Sequence, residues 1–136
     1  MIQARGPFQV VLAPQPLHTE MQGAGFEKVG RMSLDKAFQG DLEATSRGEM
    51  LSALSDVKGS GGYVAIERVE GTLKGRKGSF VLQHSGSMAR GAQSLTITVV
   101  PDSGTGQLVG LEGRMAILVD AGKHSYDFEY SLPESP

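Results

Sequence analysis

The sequence predicts an all-β domain: an eight-stranded antiparallel up-and-down β-barrel. Three observations carry that prediction. Apolar and polar residues alternate through eight runs of strand length. Most of the runs are joined by short turns containing glycine, in the manner of a meander. The 19 glycines are spread along the whole chain, while the six prolines keep to the two ends and one loop. Eight antiparallel strands can close on themselves, which removes exposed edges and leaves an interior that is filled or just holds one small ligand. A β-sandwich is the rival architecture, but it needs longer crossovers than most of these turns allow.

The elements follow in order. Residues 6–12 form a first strand with Phe8, Val10 and Leu12 on one side, and Pro14 and Pro16 stop it. Residues 17–25 are polar and glycine-bearing, a loop in which His18 is exposed. Alternation resumes over 28–39, with Met32, Leu34, Lys36 and Phe38 sharing a side, before a hairpin turn at Gln39-Gly40-Asp41. Residues 42–57 are ambiguous. Their first half alternates, whereas Met50, Leu51, Leu54 and Val57 have helical spacing, and the flanking hairpins favour one long, bulged strand. The loop Lys58-Gly59-Ser60-Gly61-Gly62 leads to a strand over 63–69, with Tyr63, Ala65, Glu67 and Val69 on one side. After a turn at Lys74–Gly78, the strand 78–86 places Phe80, Leu82 and His84 together. A turn at Arg90-Gly91 precedes the clearest strand, 94–100, with Leu95, Ile97 and Val99 alternating against Ser94, Thr96 and Thr98. A strand kinked at Gly110 and Gly113 spans 107–119, and Asp120-Ala121-Gly122 turns the chain into the last strand, 123–132. There His124, Tyr126, Phe128 and Tyr130 share a side. Residues 1–132 make a single domain, and 133–136 a frayed tail.

Composition excludes several function classes. Apolar content of 39% and charged content of 21% are those of a globular protein. A formal net charge of −2, without any run of like charges, argues against nucleic acid or an anionic membrane as partner. No transmembrane stretch or secretory signal is visible, and the absence of cysteine rules out disulfides and thiol chemistry, so a cytoplasmic location is expected. No Gly-x-Ser-x-Gly elbow occurs, and turns explain the glycine clusters at 59–62 and 104–106 better than phosphate loops do.

In a closed barrel the polar exceptions on inward sides are the candidate site. Phe80 and Leu82 bring His84 inward, and Tyr126, Phe128 and Tyr130 bring His124. Both sides of the 63–69 strand are half apolar; if Tyr63 and Ala65 face inward, Glu67 does too, one strand away from His84, and Glu43 shares with Arg47 a side that can face the same cavity. A carboxylate beside an imidazole fixes its tautomer and raises its basicity, which prepares a general base. Glu67 and His84 are therefore the candidate catalytic pair. Glu43, Tyr63, Phe80, His124, Tyr126 and Phe128 are the candidate ligand-lining residues. The same groups can equally satisfy one another inside a solid barrel. No spacing motif links His84, His124 and Glu67 as metal ligands, and no metal or cofactor is expected.

The runs 40–46, 62–67 and 78–86, with the ending 124–130, resemble the bacterial DUF3224 family. The resemblance runs from Phe8 to Leu132. It implies a barrel similar to allene oxide cyclase, calycin- or lipocalin-like in general shape; that enzyme is an isomerase that holds a fatty-acid epoxide inside its barrel. It implies no catalytic residue for this chain. Three functions are then open: a barrel binding one small apolar or lipid-like molecule, an isomerase or cyclase using Glu67 and His84, and a solid barrel that oligomerises without ligand. The apolar outer residues Val64, Ile66 and Val81 suggest a homo-oligomer, dimer or trimer.

Overall fold

In the computed structural model, which describes residues 1–133, the alternating runs become eight antiparallel strands in a closed barrel, each paired with its neighbours in chain order. The strands are β1 (Ile2–Gln15), β2 (Val29–Phe38), β3 (Leu42–Leu54), β4 (Gly61–Leu73), β5 (Arg76–Ala89), β6 (Ala92–Val99), β7 (Glu112–Asp120) and β8 (Lys123–Ser131). The tail expected over 133–136 lies, beyond Pro133, outside the described residues. No helix is long and apolar enough to cross a membrane.

β1 is longer than the spacing predicts, and Pro14 does not stop it. Its first half pairs with β8 up to Phe8, and its second half pairs with β2 from Phe8 to Gln15. Beyond Phe8 one edge of β1 is free of β8, and a strand with an unpaired edge tolerates proline. β3 is one continuous strand without a bulge, because its register with β2 and β4 runs unbroken. Gly48 lets the backbones approach there: a Cβ at this position would come within 2.0 Å of the Ile66 carbonyl oxygen. The helical spacing of Met50, Leu51, Leu54 and Val57 is accidental, since Leu51, Leu54 and Val57 are exposed.

Three hairpins turn on Lys74-Gly75, Arg90-Gly91 and Ala121-Gly122, with positive φ at both residues as type I′ turns require. Lys, Arg and Ala thus take a left-handed position that glycine, asparagine or aspartate usually fills. The strand predicted over 107–119 begins at Glu112. Before it, a short 3-10 turn at Gly106–Leu108 lays Leu108 and Leu111 over one end of the barrel and leaves Val109 exposed. The connection from β6 to β7 also covers the free edge of β5. The Ser79 and Val81 amides donate to the Thr105 and Ser103 hydroxyls at 3.1 and 3.0 Å.

The core fills this closed end. Phe8, Phe38, Leu42, Val69, Leu73, Phe80, Leu82, Phe128 and Tyr130 pack there, with Phe80 and Phe128 stacked at 5.7 Å. The Tyr126 hydroxyl ties the β2–β3 turn to β8, donating to the Gln39 carbonyl at 2.6 Å and accepting from the Leu42 amide at 2.8 Å. The opposite end, where the β3–β4 and β5–β6 hairpins turn, is open.

Candidate functional site

Midway along the barrel, four polar side chains replace the apolar core. Glu67 is 0% exposed, His84 3%, Lys36 8% and Ser46 3%, so each must be satisfied by protein. They satisfy one another. Lys36 Nζ donates to Glu67 Oε2 at 2.8 Å, His84 Nε2 donates to the same oxygen at 2.5 Å, and Ser46 Oγ donates to Oε1 at 2.8 Å. Lys36 Nζ also lies 5.2 Å from the Phe8 ring centroid, where the aromatic face offsets part of its lost hydration. Burial pushes the Glu67 carboxyl up, but the His84 hydrogen bond and the Lys36 charge outweigh it and hold the group at about 2.

An ionised Glu67 can only accept, so a neutral His84 carries its proton on Nε2 and leaves Nδ1 as acceptor. The Tyr63 hydroxyl lies 3.1 Å from Nδ1 and, against that neutral ring, is the donor. Burial and the Glu67 charge both raise the Tyr63 phenol, which keeps it protonated. The result is a directed chain from Tyr63 through His84 to Glu67, whose charge Lys36 cancels.

Tyr63 also belongs to the wall of a cavity. A chamber of about 360 Å3 occupies the open end, lined mainly by apolar surface from Met50, Tyr63, Met88 and Leu95, with Ser52 and Gly86. Its volume falls at the low end of small-molecule sites, roughly 300–1,000 Å3. His84, Glu67 and Lys36 lie behind Tyr63. Gly86, paired directly with Tyr63, makes room for the ring: a Cβ there would come within 2.5 Å of Tyr63 Cε1. β6 and β7 register only at Thr98 and Arg114, and a second cavity of about 370 Å3 opens along their seam beside Leu95 and Ile117.

The chain matches the family model "Protein of unknown function (DUF3224)" over residues 4–130. It belongs to the DUF3224 family. A crystal structure of a DUF3224 protein of unknown function from Shewanella oneidensis MR-1 is similar to it, with 51% identity, 99% of both chains covered and a TM-score of 0.91. No curated protein matches.

In this DUF3224 barrel the expected pair Glu67 and His84 is brought together, and Tyr63 joins it. The other expected lining residues lie elsewhere. Glu43 is on the outer face, where its carboxylate accepts from the Gly40 amide at 2.9 Å, because β3 turns Leu42, Ala44 and Ser46 inward instead. Phe80, Tyr126 and Phe128 point inward but fill the closed end. His124 packs against Phe8 at 5.3 Å between centroids, away from the chamber. Among the described residues no three His, Cys, Asp or Glu side chains cluster as a metal site. Sequence reasoning missed Lys36 and Ser46 as site members, although the alternation on β2 and β3 put both on inward sides.

Proposed function

We propose that the open chamber binds one small, mainly apolar molecule, whose polar group meets the Tyr63 hydroxyl. The observation that carries this reading is the chamber itself: a mainly apolar cavity, with Ser52, Ser87, Gln93 and Ser94 among its lining, whose wall includes Tyr63, held from behind by His84. Burying roughly 200 Å2 of such a ligand yields about 5 kcal/mol before the costs of association, which points to affinities of about a tenth of a millimolar or weaker. The test is calorimetric titration with octan-1-ol of the wild type and of Ser52→Trp, in which the new side chain fills the chamber. Saturable binding by the wild type and its loss in the variant is the expected result; equal binding by both sinks the reading.

A second reading is an isomerase or cyclase, favoured by the hydrogen-bond chain that ends at the chamber wall. On that reading the group touching substrate is Tyr63, with His84 and Glu67 passing or holding its proton. Tyr63→Phe then abolishes turnover while leaving binding of an apolar substrate within about tenfold. A homo-oligomer formed through the exposed apolar residues Val64 and Ile66 belongs to the same account, and analytical ultracentrifugation measures it. A cytoplasmic setting fits a chain without cysteine.

A further inference from the structure

We propose that the ligand of the chamber is an oxygen acid, and that its anion binds together with one proton taken up by His84. This inference rests on the chamber reading and specifies its ligand class.

The argument follows the protons. Each side chain of the network has a partner: Tyr63 bonds His84 Nδ1, and His84 Nε2, Lys36 and Ser46 bond Glu67. A neutral alcohol can only donate to the free lone pair of the Tyr63 oxygen, and nothing behind it changes. An anionic oxygen placed against Tyr63 instead needs the phenol's own proton. Once the phenol turns to the anion, Nδ1 is left without a donor in a site where water does not reach it, and the interior holds an uncompensated negative charge. Both are costly. One proton on Nδ1 removes both costs. The imidazolium then donates Nδ1–H to the Tyr63 oxygen and Nε2–H to Glu67, Tyr63 donates to the ligand, and the four charges of Lys36, Glu67, His84 and ligand cancel. The proton comes from solvent, or from the acid itself if it enters neutral and ionises in place. Only O–H and N–H bonds are exchanged.

A tyrosine alone would serve an alcohol. An imidazole with a carboxylate at Nε2 and a phenol oxygen at Nδ1 has acceptors for both N–H groups of a cationic ring, which is what a bound acid requires. Among the described residues, the charged groups that share an outer groove with the strand of His84 are Arg31, Arg47, Glu49 and Arg68, and these are paired with one another or with Asp35 and Glu70 on the outer face. β4 presents Tyr63 and Glu67 to His84, and β2 presents Lys36 through Glu67; β6 brings Ile97, and β3 brings Ser46 and Met50, none of which titrates. On β8, His124 sits against Phe8 and Tyr126 is committed at the closed end.

The test is calorimetry near neutral pH with octanoate and with octan-1-ol, each in buffers of different ionisation enthalpy. Wild type is expected to take up about one proton per octanoate and none per octan-1-ol. Tyr63→Phe is expected to bind octanoate about tenfold or more weakly. Imidazole 15N shifts of the wild type read the same event directly, with His84 moving to its cationic form as octanoate is added. Octanoate binding without proton uptake overturns the inference, as does uptake that persists in His84→Gln, which would place the proton on the ligand. Binding of octan-1-ol but not octanoate overturns it while leaving the chamber reading standing. Binding of neither overturns both.

Discussion

Glu67 and His84 meet inside the barrel with Oε2 2.5 Å from Nε2, and the glutamate has no exposed surface at all. They stand on neighbouring strands in diagonal positions, since Ala65 pairs with His84 and Glu67 with Leu82. A carboxylate this deep persists because Lys36 and Ser46 approach from β2 and β3 to share it. Removing Glu67 therefore breaks three contacts at once.

Lys36 and Glu67 are each expected to be costly to remove alone and cheaper to remove together. Lys36→Met or Glu67→Gln leaves one buried charge without its partner, at about 3–5 kcal/mol. The double variant removes both charges and is expected to be less destabilised than the sum of the two single changes. Urea unfolding of the four proteins measures the coupling, and additive losses would show that the pair does not act as a unit.

The pH dependence has a definite sign. The Glu67 carboxyl is held below its ordinary value of 4.5, at about 2, so the stability it contributes is present above pH 4.5 and is lost as pH falls toward about 2. Over that window wild type is expected to lose about 3 kcal/mol relative to Glu67→Gln, which lacks the titrating group. Denaturant midpoints across acid pH for both proteins give the comparison; parallel curves would contradict the assignment.

Tyr126 separates stability from binding. Its hydroxyl accepts from the Leu42 amide and donates to the Gln39 carbonyl at the closed end, remote from the chamber. Tyr126→Phe is expected to cost about 1–3 kcal/mol by leaving the amide unpaired, with octan-1-ol affinity unchanged. A matching loss of affinity would mean that the two ends are coupled.

Gly86 is expected to act through Tyr63. A methyl group at this position collides with the Tyr63 ring, which must tilt away from His84. Gly86→Ala should cost about 1–3 kcal/mol and weaken chamber binding, whereas the same change at Gly91, a turn position with no atom near an added Cβ, should leave binding intact. Thermal melts paired with titration resolve the two.

The strands were legible because each hides one side, and period-two alternation survives wherever one side is buried. The Glu67–His84 pair was legible for the same reason, since inward residues on adjacent hairpin strands must be neighbours. Lys36 was visible as an inward lysine but not as a partner of Glu67. Which side chains meet across a barrel depends on the stagger of its strands, and no periodicity encodes that. Alternation also gives side but not height. Phe80, Tyr126 and Phe128 share the inward side with Tyr63, yet they fill the closed end while Tyr63 stands at the open one. The β3 ambiguity arose because that strand carries apolar residues on both sides near the chamber, Met50 and Leu54 toward it and Leu51 away from it.

The most direct test of the chamber is methyl NMR of the six methionines during titration with octan-1-ol. Met50 and Met88 line the chamber, whereas Met1 and Met21 lie outside it and Met115 belongs to the core. The account predicts saturable shifts of Met50 and Met88 with Met1, Met21 and Met115 still. Shifts of Met1 or Met21 alone, or no saturable shift at Met50 and Met88, would contradict it.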